Sequence, residues 1–219
     1  MTSGGPSDLW DLYLDAFRLH SHQLLAWAHA DVRSRLHADL DEPSITGLVA
    51  EAMKARLNSH PDTPDEYDHY WIGDQEPISP AGQLGNDRLR LDVSVIRTGI
   101  RPRLSYIFEG KRLRTGSFTI GKYVGAGGIG DFIEGRYGVD CPEAAMVGFM
   151  QDRDAAYWHK ELRRAYEEDI ASGAPRLGIV QPLRTVEILN ELTDELQSNH
   201  SRSNGTALQL LHIFLPATN

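Results

Sequence analysis

The segment from Arg88 to Arg112 constrains this chain most. Leu89, Leu91, Val93 and Val95 alternate with Arg88, Arg90, Asp92 and Ser94, the period-two pattern of a strand with one buried face. Thr98-Gly99-Ile100-Arg101-Pro102 is a connection of hairpin length. From Arg103 to Arg112 the alternation resumes, with Leu104, Tyr106, Phe108 and Gly110 set against Ser105, Ile107, Glu109 and Lys111. Glu109 and Lys111 are two apart and therefore leave one face of their strand. Asp92 leaves the polar side of the other strand, so hairpin pairing lets the three groups converge.

Around this hairpin the chain reads as helix first and mixed structure after. Trp10, Tyr13, Leu14, Phe17, Leu24, Ala28, Val32 and Leu36 form a helical stripe over residues 8 to about 38. A second helix is expected from about Ser44 to Leu57, with Ile45, Leu48, Val49, Ala52, Met53 and Leu57 on one face and Glu51 near its edge. Pro61, Pro64, Pro77 and Pro80 punctuate an acidic, aromatic connection, with a short strand near Tyr70 to Gly73. After a glycine-rich stretch, helices are predicted from Pro142, over Trp158 to Ser172 and over Thr185 to Gln197, with a final buried strand from Ala207 to Leu215. One domain of 219 residues is the simplest organisation: a helical extension over 1–43, the core motifs over 44–151, and C-terminal helices with a last strand over 152–219.

Composition narrows the function classes. The single cysteine, Cys141, excludes an internal disulfide and any site needing several thiolates, and it fits a reducing cytoplasm. No apolar run approaches the roughly 18 residues that span a bilayer, and no secretory leader is expected at the N-terminus. The net charge of −9 argues against coating nucleic acid by bulk attraction. Yet between Arg97 and Lys122 seven basic residues face one acid, Glu109, whereas residues 62 to 76 hold six acids and no Lys or Arg. A local basic patch of this kind suits a polyanion held at one place.

Asp92, Glu109 and Lys111 are the residue types that phosphodiester hydrolysis calls for. Magnesium takes hard oxygen ligands and needs only one or two carboxylates. Asp92 and Glu109 can supply them, and the carbonyl of Gly110 adds a third oxygen. Lys111 then places a positive charge beside the attacking water.

Arg90-Leu91-Asp92-Val93, followed seventeen positions after the acid by Glu109-Gly110-Lys111, resembles the signature of the PD-(D/E)XK nuclease superfamily. Leu91 stands where the name-giving motif has proline. The resemblance covers about residues 44 to 151. It implies a restriction-endonuclease-like α/β fold with a mixed central sheet flanked by helices, and nuclease activity dependent on Mg2+ (with Mn2+ as a substitute). It also implies a glutamate from the preceding helix, matched by Glu51, and a glutamine on a helix after the hairpin, matched by Gln151. The metal set is then Asp92, Glu109, Gly110 and Glu51. Products with a 5′-phosphate, DNA as the expected polymer and a restriction or antiviral defence setting follow from the same likeness. Arg101, Arg103, Arg112, Arg114 and Lys122 are candidates for phosphate contacts. Small size and acidic charge point to a homodimer or a subunit of a larger complex.

Two other readings stay open at this level. One is a catalytically silent member of the fold serving as scaffold or nucleic-acid-binding subunit. The other is a nucleotide-binding enzyme, because Gly125-Ala126-Gly127-Gly128-Ile129-Gly130 satisfies G-x-G-x-x-G; it requires a long helix starting at Gly130. Cys141 is expected as a small capping or core residue, His20 and His22 as ordinary helix residues, and His200 and His212 receive no role.

Overall fold

The computed structural model describes residues 6–77, 90–99, 103–193 and 195–218, without the side chains of residues 6–9 and 91. Helix α1 spans Pro6–Val32 and α2 spans Glu42–Ser59. Strands β1 (Tyr70–Pro77), β2 (Arg90–Arg97) and β3 (Ser105–Leu113) follow. Two short helices, α3 (Ile120–Val124) and α4 (Ile129–Ile133), precede β4 (Glu143–Met150) and α5 (Ala155–Ala171). The chain closes with β5 (Ile179–Thr185), β6 (Leu196–Ser201) and β7 (Ala207–Pro216).

All seven strands form one mixed sheet in the order β1-β2-β3-β4-β7-β6-β5. The expected hairpin is present: β2 and β3 pair antiparallel, with Val93 opposite Phe108 and Ile96 opposite Ser105. The centre is parallel, with β3 beside β4 and β4 beside β7. Helices cover both faces. Leu25, Ile45, Val49 and Met53 pack with Val93, Val95, Phe108 and Val147 on one side. Trp158, Leu162 and Tyr166, one helical turn apart along α5, pack with Ile107, Met146 and Leu210 on the other.

Two predicted helices are not helical: one is a strand and the other a connection between strands. Glu143–Met150 carries Pro142 and Glu143 in the manner of a helix start, yet it runs through the middle of the sheet with Ala144 to Met150 buried. A parallel strand covered on both faces loses the alternation that marks an exposed one, so Ala144-Ala145-Met146-Val147 reads as helix from spacing alone. Gly148 belongs there because a Cβ would approach Leu113 Cδ1 to 2.6 Å and Phe214 Cδ1 to 3.0 Å. The second case is Thr185 to Gln197. Its apolar residues at helical spacing, Val186, Ile188, Leu189 and Leu192, instead tuck a connection between β5 and β6 under the α1–α2 face.

That connection is anchored by a buried polar chain. Glu195 Oε1 lies 2.6 Å from His22 Nδ1, and His22 Nε2 lies 2.8 Å from the Tyr106 hydroxyl. Glu195 Oε2 accepts the amide of Ile188 at 3.1 Å. One turn earlier on α1, Arg18 pairs with both oxygens of Glu143 at 2.5 and 2.6 Å. Thus α1 is fixed to β4 by an ion pair, and to β3 and the β5–β6 connection by buried hydrogen bonds, as well as by apolar burial. His22 is a core histidine, as its default reading has it. His200 and His212 form a second internal network with Ser198 and Tyr166, in which Ser198 Oγ is 2.7 Å from His200 Nε2 and 2.8 Å from His212 Nε2. Burial holds His200 down to about 4 and His212 well below its ordinary value, so both are neutral packing groups at neutral pH.

The glycine-rich turn does not meet the dinucleotide requirement. The helix at Gly130 is α4, five residues long, and α3 rather than a strand precedes the turn. Its glycines serve close backbone packing: a Cβ on Gly128 would lie 2.1 Å from the Tyr123 carbonyl. Asp131 closes the turn by accepting the Gly127 amide at 2.9 Å and the Arg136 guanidinium at 2.5 Å.

Candidate active site

The site sits where the β2–β3 ladder ends. Val93↔Phe108 is the last paired position, and beyond it the Asp92 carboxylate substitutes for the strand: Oδ2 accepts the free amide of Gly110 at 2.9 Å. Its other oxygen accepts from Gln75 Nε2 at 2.9 Å. Gln75 adopts a φ of +51°, a conformation uncommon outside glycine, at the position that β1 leaves unpaired between Asp74↔Val93 and Glu76↔Leu91. The register is the same on both sides of this gap, so Gln75 stands opposite Asp92 and its amide meets the carboxylate there.

Glu109 and Lys111 leave the same face of β3, as their spacing requires. Both are buried, and Lys111 Nζ lies 2.7 Å from Glu109 Oε1 and 2.7 Å from the carbonyl of Gly110. Its third bond, 2.9 Å, goes to Glu42 Oε1 in the first turn of α2. The other oxygen of Glu42 accepts the Arg112 amide at 2.9 Å. Helix α2 starts at Glu42 because Asp41 caps it, accepting the Ser44 amide at 3.0 Å, and Pro43 follows in the first turn. Close approach of α2 to β3 needs Gly110: a Cβ there would meet Thr46 Cγ2 at 2.8 Å and Phe149 Cε2 at 2.9 Å.

Glu42 is the helix glutamate of this site, and the expectation for Glu51 is corrected. Glu51 is exposed, and nine residues at about 100° each place it half a turn around α2 from Glu42. The sequence signal for Glu42 is the run Asp41-Glu42-Pro43-Ser44, which reads equally well as a helix start two residues earlier than the apolar stripe suggests. Gln151 does reach the site's margin, although from the end of a strand and not from a helix. It is buried, its Nε2 donates to the carbonyl of Leu40 at 2.8 Å, and its Oε1 is buried without a partner.

Of the basic candidates, Arg112 is structural in part. Its guanidinium donates to the Leu40 carbonyl at 3.1 Å and stacks on the Phe118 ring at 3.7 Å, so with Gln151 it ties the entry of α2 to the ends of β3 and β4. Arg103, Arg114 and Lys122 are exposed, and Arg101 lies outside the described residues.

The electrostatics of the cluster follow from two carboxylates bonded to one ammonium with a third, Asp92, nearby. Burial, reinforced by Asp92 and incompletely offset by Lys111, pushes Glu109 up to about 8. Burial also raises Asp92, against the pull of Lys111 and the Gly110 amide. Burial works against the charge of Lys111, but Glu109, Glu42 and Asp92 outweigh it and hold the ammonium protonated. Glu109 Oε2 is buried with no hydrogen-bond partner. A buried carboxyl oxygen without a partner, whose proton a cation would displace, is chemically suited to a hard divalent ion. Among the described residues, no three Asp, Glu, His or Cys side chains are gathered so that they could hold a metal ion.

Other features carry less chemistry. Burial raises the Cys141 thiol to about 11, which removes it as a nucleophile at neutral pH. A concavity of about 930 Å³ opens between the glycine-rich turn and α5, but none of Asp92, Glu109, Lys111 or Glu42 lines it. Among the described residues, no helix is long and apolar enough to cross a membrane. No protein-family model, no curated protein and no solved structure matches the chain.

Proposed function

We propose that this protein is a magnesium-dependent nuclease with a restriction-endonuclease-like fold, hydrolysing phosphodiester bonds of nucleic acid, with DNA as the expected polymer. The observation that carries this reading is the meeting of Glu109 and Glu42 on Lys111 at the end of a hairpin, beside Asp92 on the Gly110 amide, with Glu109 Oε2 left unsatisfied. A scaffold has no physical need for such a cluster, because buried unpaired carboxylate oxygen is costly.

The donor types present suit a hard divalent ion, and their side chains would have to draw together to hold it. Glu109, Glu42, Asp92 and the Gly110 carbonyl would hold it, and when bound it supplies positive charge to a non-bridging phosphate oxygen and to the departing oxygen. Asp92 is kept in orientation by Gln75 and the Gly110 amide. Lys111, from the same face of β3 as Glu109, offers an ammonium that orients the attacking water and opposes the negative charge that develops at phosphorus. Arg103, Arg114 and Lys122 are exposed and available to the phosphate backbone, where they hold position without reading sequence.

The test is cleavage of mixed DNA and RNA substrates by the wild type and by Lys111→Ala, each with magnesium and with EDTA. Cutting by the wild type that disappears in EDTA and in the variant supports the reading and identifies the polymer. Equal cutting by both proteins overturns the assignment of Lys111 and of the site.

A further inference from the structure

The three hydrogen-bond acceptors around Lys111 Nζ are Glu109 Oε1 at 2.7 Å, the Gly110 carbonyl at 2.7 Å and Glu42 Oε1 at 2.9 Å. An ammonium has three donors, so this set saturates it. These oxygens belong to three of the four groups that would hold a divalent ion in the function proposed above, on which this inference rests. Magnesium would need them at about 2.0–2.1 Å in near-octahedral geometry. An ammonium at hydrogen-bond distance from each oxygen occupies the space between them, and two cations cannot use that space together.

We infer that Lys111 is an intramolecular competitor for the divalent cation: its ammonium fills the Glu42–Glu109–Gly110 cage, and an entering ion must displace it. The lysine stem is suited to this, since four methylenes and a compact charge allow the head to swing out while the stem stays packed. Only the displaced ammonium is placed to meet an attacking water, so the swing couples ion entry to the second role of the same residue. Lys111 thereby keeps the carboxylates neutralised and the core paired until an ion arrives, and it weakens ion binding in the protein alone.

The contacts also show why a general charge effect is a separate matter. Arg114, three residues on, is exposed and bonds none of the three carboxylates through its side chain in the described structure, so its removal changes the long-range field without emptying the cage. Lys111→Met keeps the length and packing of the stem while removing the ammonium.

The experiment is calorimetric titration of Mn2+ into the full chain without nucleic acid, for the wild type, Lys111→Met, Arg114→Ala and the double variant Lys111→Met/Glu109→Gln. Folding of each is checked by its melting transition. We expect Lys111→Met to bind Mn2+ about tenfold tighter or more, the scale of one close charge contact in a partly buried site. Arg114→Ala should stay within about twofold of the wild type, as exposed charges are screened, and the double variant should lose the gain. Equal affinity for wild type and Lys111→Met, abolished in the double variant, overturns the competition while leaving the metal site standing. An equal gain in Arg114→Ala reduces the effect to overall charge and overturns it too. Absence of Mn2+ binding in both wild type and Lys111→Met removes the metal reading and the competition together.

Discussion

Lys111 Nζ lies 2.9 Å from Glu42 Oε1, although 69 positions separate the two residues in the chain. This ion pair joins the first turn of α2 to the end of β3 and thereby brings a third carboxylate to a cluster that the hairpin alone limits to two. The backbone completes the union, since the second oxygen of Glu42 takes the Arg112 amide. Glu42 is thus both a site residue and the clasp that fixes where α2 begins.

Glu42 and Glu51 therefore separate under mutation. Glu42→Ala should lower magnesium-dependent cutting by about two orders of magnitude, the scale seen when a residue that holds a metal ligand set is removed. Glu51→Ala should leave the rate unchanged, because its side chain is exposed on the far side of the helix. Initial rates of both variants under saturating magnesium decide this; equal loss in both would return Glu51 to the site.

Glu109 makes folding stability depend on pH in an unusual direction. Its carboxyl is raised from an ordinary 4.5 to about 8 in the folded protein, so between those values the native state binds a proton that the unfolded chain has released. Stability from this group is fully present below about pH 4.5 and is lost as pH rises toward 8. Replacement by glutamine removes the titration. Denaturation midpoints in EDTA should show Glu109→Gln gaining on the wild type as pH goes from 5 to 8.5, by a few kcal/mol at most at ~1.4 kcal/mol per unit. A constant difference across that range would contradict the shift.

Gln75 offers a case where backbone and side chain can be told apart. Its φ of +51° costs a non-glycine residue about 1 kcal/mol, and its amide bonds Asp92. Gln75→Gly and Gln75→Ala both lose the contact with Asp92, but only glycine relaxes the backbone. The glycine variant should be the more stable of the two by about 1 kcal/mol, and both should show the same reduced cutting. Urea midpoints and cleavage rates measured side by side test this, and a more stable alanine variant would rule out the strain.

The His22–Glu195 pair predicts a stability effect without a site effect. Both side chains are fully buried, 2.6 Å apart, and His22→Ala leaves the Glu195 carboxylate with the Ile188 amide for company. Removing one partner of a buried hydrogen-bonded pair costs about 1–3 kcal/mol, to which the cavity left by the ring adds. The variant should unfold at much lower denaturant yet cut at the wild-type rate at temperatures where it remains folded. A loss of activity without loss of stability would show that α1 influences the site directly.

The hairpin, and which side chains share each of its faces, was legible in the sequence. Alternation of apolar and polar residues sets the face on which each side chain of β2 and β3 emerges, and a spacing of two places Glu109 beside Lys111 whatever the rest of the chain does. The helices α1, α2 and α5 were likewise legible, because an amphipathic stripe at helical spacing states which side is buried. Tertiary structure alone decided the rest. The central strand β4 is covered on both faces and so carries no period, and the apolar residues between β5 and β6 satisfy helical spacing while packing as a connection. The choice of Glu42 over Glu51 depended on the orientation of α2 about its axis, which Gly110, Thr46 and the Arg112 amide fix only after the helix docks on the sheet. Local pattern specifies which way a side chain points from its own element; what it meets there is set by contacts between residues far apart in the chain, and these no local period encodes.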